Sequence, residues 1–76
     1  MMPTKRFGLC TFSQAADDIF IVADNGGDIR YYGDNPIAAM VTVMGEYETA
    51  VRNALLPNIL KEGYDRAGRK IKGPAE

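Results

Sequence analysis

The sequence predicts an α+β domain: a three-stranded antiparallel meander in β-β-β-α order, with one long amphipathic helix packed on one face and a short C-terminal helix or tail. Three observations point there. Short runs rich in β-branched and aromatic residues occupy positions 5–12, 19–23 and 29–32. The stretch Asp24-Asn25-Gly26-Gly27-Asp28 separates the last two, and Asn-Gly and Gly-Gly tolerate the positive φ of a tight hairpin. From Ile37 to Leu56 the apolar residues recur with helical period.

The elements follow in order. Lys5 to Phe12 reads as the first strand, with Phe7, Leu9 and Thr11 on one face and Gly8, Cys10 and Phe12 on the other. Ser13 to Asp18 reads as a polar connection. Ile19 to Ala23 is the second strand and Ile29 to Tyr32 the third, placing Arg30 and Tyr32 together on the face away from the helix. Asp34 or Asn35 caps the helix, with Pro36 at its first position. Pro57 is expected to end or kink it, and residues 58–64 to form a short second helix stopped by Gly63. Residues 1–64 then make one domain, and residues 65–76 a flexible basic tail.

The helical stretch has two apolar stripes where a helix lying on a small sheet needs one. At 100° per residue, Ile37, Met40, Val41, Met44, Val51 and Leu55 fall in one band. Ala39, Val43, Tyr47, Ala50 and Ala54 form a second stripe of mostly small residues. Small side chains let another helix approach, and Tyr47 offers anchoring area, so this stripe is the expected protein interface. The alternative is that residues 57–64 fold back and cover it. Glu48 falls at the centre of the first stripe, where a lone buried carboxylate is costly. It is expected to reach solvent, to meet Arg52 or Arg30, or to be rotated away by a bend at Gly45; a contact with a ligand or partner cation is the sharper reading.

Composition excludes several function classes. Nine basic and ten acidic residues in 76 leave a net charge of −1, without the basic surplus of a duplex-DNA binder or the acidic surplus of a nucleic-acid mimic. The chain has no histidine, which removes the commonest general base and transition-metal ligand. Cys10 is the single cysteine, so an internal disulfide is excluded and a reducing, cytoplasmic setting is expected. The N-terminus lacks the apolar run of a signal peptide, and no apolar run is long enough to cross a bilayer. A calcium loop opening at Asp24 would meet Gly26 and Asn35 where oxygen-rich ligand positions three and twelve should fall. No metal or cofactor is expected.

The leading expectation is a small non-enzymatic protein-binding module, a regulator, inhibitor or adaptor of the kind phages and mobile elements encode, homodimeric through the long helix. The alternative is an RNA or single-stranded nucleic-acid module. That reading uses Arg30 and Tyr32 on the sheet, with Arg66, Arg69, Lys70 and Lys72 of the tail touching phosphates.

Overall fold

A four-stranded antiparallel sheet with two helices replaces the expected three strands and one helix; the α+β class is unchanged. The computed structural model describes residues 2–71. Its sheet runs β1 (Lys5–Phe7), β2 (Cys10–Ala16), β3 (Ile19–Asp24) and β4 (Ile29–Gly33), in that spatial order. The extra strand comes from Gly8, whose φ of 61° turns the chain so that Phe7 pairs with Cys10. Residues 5–12 are therefore a tight hairpin, and the expected polar connection at 13–16 is the second half of β2. Ser13 and Gln14 sit in a strand because each has a reason to. Ser13 lies across from Ile21 on the outer face. Gln14 is buried but fully bonded: its Oε1 accepts from the Met2 amide at 2.6 Å and its Nε2 donates to the Asp17 carbonyl at 3.1 Å.

The expected single helix breaks at Gly45. Helix α1 (Pro36–Met44) ends there, a 3₁₀ turn covers Gly45–Tyr47, and α2 (Glu48–Lys61) follows. Gly45 has φ 39° and ψ −123°, a backbone region open essentially to glycine. The break resolves the two stripes. In α1 both stripes turn inward, burying Ala39, Met40 and Val43; in α2 only Val51, Leu55 and Ile59 are buried. Two packed helices thus cover a small sheet where one long rod would overhang it.

Pro57 lies inside α2 and does not end it. It removes the bond to the Asn53 carbonyl, on an exposed part of the helix where water can replace it. Val51, Leu55 and Ile59, spaced by four, seat the turns on either side in the core, and their burial outweighs one lost bond. Asn35 caps α1 as expected, its Oδ1 accepting from the Ala38 amide at 2.9 Å.

The core lies between the helices and one sheet face. Phe12, Phe20, Val22 and Tyr64 join the helix residues already named, with the Tyr64 ring edge-on to Phe20 at 5.5 Å. Tyr64 donates its hydroxyl to the Asp17 carbonyl at 2.9 Å.

Residues 65–71, read as the start of a tail, form a second small hairpin. Tyr64 bridges Lys70, the Ile71 amide donates to the Gly63 carbonyl, and the Asn35 side-chain amide donates to the Ala67 carbonyl. The turn repeats the one between β3 and β4. In each, an aspartate Oδ1 accepts from the amides two and four residues on: Gly26 and Asp28 for Asp24, Ala67 and Arg69 for Asp65. In each, the residue three on is a glycine at positive φ, 88° for Gly27 and 87° for Gly68. The shared spacing Asp-x-x-Gly is a sequence signal for both.

Candidate protein-interaction surface

Register divides the sheet into two faces. Residues opposite one another across antiparallel strands share a face. Lys5–Phe12–Val22–Tyr31 is one row of the inner face, against the helices. Arg6–Thr11–Ala23–Ile29 and Ser13–Ile21–Tyr32 are two rows of the outer face. No described element packs on that outer face. Ile29 and Tyr32 are 57% and 66% exposed there, with half-buried Ile21 between them. This is the most continuous exposed apolar surface on the sheet.

Arg30 does not share it with Tyr32. A bulge between Val22 and Ala23 inserts Arg30 as an extra residue in β4, which resets the alternation. Its guanidinium folds back on Asp24, with Nη2 to Oδ2 at 2.8 Å. Hydrogen bonding from the Asp28 amide first, and from Arg30 and Gly26 after it, holds the Asp24 carboxyl below its ordinary pKa. The expected Arg30–Tyr32 stacking pair is therefore split.

The second surface is a shallow cleft at the opposite end of α1 from its cap. The β1–β2 turn, the β3–β4 hairpin and the end of α1 enclose about 630 Å³ lined by Leu9, Cys10, Asp24, Arg30 and Thr42. Leu9, Cys10 and Thr42 also line the adjoining hollow under Tyr47. Leu9, on the two-residue turn, is 70% exposed. Periodicity missed it because residue 9 was read as mid-strand; Gly8, the residue that makes the turn, was the available signal.

The expected helix interface comes apart. Ala39 and Val43 are in the core and face no partner. Tyr47 and Ala50 are exposed and Ala54 is half-buried, on the 3₁₀ turn and α2. Tyr47 lies against Gly8, where an added Cβ would meet its ring. Glu48 opens α2 on its exposed side and pairs with Arg52 at 2.7 Å, because the new helix start rotates it off the apolar face. A carboxylate in a first helical turn also suits the helix dipole.

The basic residues do not converge on one patch. Arg69 meets Asp65 at 3.5 Å, and the Lys70 ammonium lies 4.7 Å over the Tyr64 ring. Hydrogen bonds from the Arg69 and Ala67 amides, the first the stronger, lower the Asp65 pKa. Arg66 is exposed on the turn, and Lys72 lies outside the described residues. Among the described residues, no three cysteine or acidic side chains gather as a metal site. No described helix is long and apolar enough to cross a membrane. Comparison with protein-family models, with curated proteins and with solved structures finds no match for this chain.

Proposed function

We propose that this chain is a small non-enzymatic protein-binding module, a regulator, inhibitor or adaptor, and that it meets its partner through the outer face of the sheet. The observation that carries the reading is the exposure of Ile29 and Tyr32 beside Ile21 on a face the helices leave uncovered. Aromatic and aliphatic side chains grouped this way, rimmed by Thr11, Ser13 and Arg6, have the composition of an interface centre with a polar border. The absence of histidine from the sequence and the position of Cys10 against the core support a binding role over a catalytic one. The nucleic-acid reading has less to draw on, because Arg30, Arg69 and Lys70 are engaged within the chain.

Photo-crosslinking tests the proposal. A photoreactive phenylalanine analogue replaces Tyr32 in cells that naturally make the chain, with the same analogue at exposed Lys61 on α2 as the control. The expected product is a discrete protein adduct from position 32 alone, lost when Ile29→Glu is added. A nucleic-acid adduct, or equal labelling from both positions, overturns the reading.

A further inference from the structure

Resting on the reading of this chain as a protein binder, we infer that β4 is a self-recognition edge that pairs antiparallel with β4 of a second copy, about a two-fold axis at Tyr32. The strand order places β4 at one edge of the sheet and β1 at the other. β1 has three residues and β4 five, so β4 is the edge long enough to template a partner strand.

The register follows from pleat and charge. Pairing Tyr31 with Tyr32 of the second copy would set an inner-face residue against an outer-face one, which the two-residue period forbids. Among registers that respect the faces, an axis at Tyr31 places Asp28 opposite Asp34, two like charges. An axis at Arg30 places Arg30 opposite itself. An axis at Tyr32 places Arg30 opposite Asp34 twice, Tyr31 opposite Gly33 twice, and Tyr32 opposite Tyr32. Only this register has opposite charges at both ends and an aromatic pair at its centre, the cross-strand combinations that stabilise antiparallel sheets.

The side chains accommodate it. Tyr31 already lies along its own strand over Gly33, where an added Cβ would meet its ring, so no bulk opposes it from the facing Gly33. Asp34 is exposed. Arg30 spends Nε and Nη2 on Asp24, and a guanidinium has five donors, so a second carboxylate can share it. The bulge falls at Arg30, which anchors the pairing on Tyr31 to Gly33. A perpendicular two-fold keeps the helices of both copies on one side, and the two outer faces become one continuous surface. An edge of five residues buries far less than the roughly 800 Å² per partner of a stable complex, so the dimer is weak and forms at high concentration.

Sedimentation equilibrium from about 10 μM to about 1 mM tests this. The expected result is a mass rising from 8.3 kDa toward twice that value. Asp34→Lys alone and Arg30→Glu alone each place like charges across the axis and weaken association about tenfold. Mixed one to one, the two variants again set opposite charges against each other at both ends of the strand pair and regain the wild-type mass. Melting curves establish that each variant is folded, and recovery in the mixture separates the charge across the axis from any loss within one copy. A monomer at 1 mM, a dimer insensitive to Asp34→Lys, or one abolished by Ala50→Glu on α2 overturns edge pairing. None of these results touches the adduct expected at position 32, so this inference and the proposed function fail separately.

Discussion

Gly68 is the residue on which the C-terminal hairpin turns. Its φ of 87° is open to glycine, and a Cβ there would overlap the Asn35 side chain, whose Oδ1 caps α1 and whose Nδ2 holds the Ala67 carbonyl. Gly68→Ala therefore combines backbone strain with a displaced cap. It is expected to cost about 2–4 kcal/mol, read as a melting temperature lowered by roughly 10 °C or more. A shift under about 3 °C would show that the hairpin adjusts without disturbing Asn35. The Asn35 cap was legible from Asn-Pro at a helix start, and the Asp24 turn from its glycines. The Asp65 turn carries the same Asp-x-x-Gly spacing, but four basic residues between 66 and 72 made the segment look like a solvated tail. Glu48 was visible only as a conflict, a charge at the centre of an apolar stripe, and the break before it removes the conflict.

Breaks and continuities decide the elements. Gly45 stops a helix that periodicity carries through, while Pro57 fails to stop one that local rules end there. Both outcomes come from burial: Ala39, Met40 and Val43 must reach the same core as Val51, Leu55 and Ile59, which a straight rod cannot do over a sheet this short. Gly45→Ala puts a side chain at a φ and ψ that disfavour it, with no steric neighbour to complicate the reading. It is expected to destabilise by about 1–3 kcal/mol in urea unfolding, with an unchanged m-value. A stabilised variant with raised helicity would mean that α1 and α2 can join, restoring the long helix and its second stripe. Gly8 acts the same way in the sheet, splitting one expected strand into β1 and the start of β2.

For the whole molecule, the two aspartate turns close opposite parts of the chain and give it a common acid limit. Asp24 and Asp65 have carboxyl pKa values lowered by amides that point at them in the folded state. A lowered folded pKa means the unfolded chain takes up the proton first. The stabilisation is present above about pH 4 and is lost as pH falls through the folded values. Thermal melts between pH 7 and pH 2 are expected to show that decline, and Asp24→Asn with Asp65→Asn to flatten it. An unchanged slope in the double variant would place the acid-sensitive groups elsewhere. At the alkaline end, burial, then the Asp18 charge, raises the Tyr64 pKa above 10.0. That contribution is whole below pH 10 and fades as pH rises from there through the folded value.

The sequence by itself determined the α+β class, the β3–β4 hairpin and the α1 cap, because each is a local matter of period, turn chemistry or capping. It also determined that the chain holds no histidine and one cysteine, and so bounded the chemistry available. Only the tertiary structure decided where the helix breaks, that Ala39 and Val43 belong to the core, and that Arg30 turns to Asp24 while Tyr32 stays outside. Those outcomes depend on how much surface a four-stranded sheet offers and on one inserted residue in β4, quantities set between segments and absent from any single one.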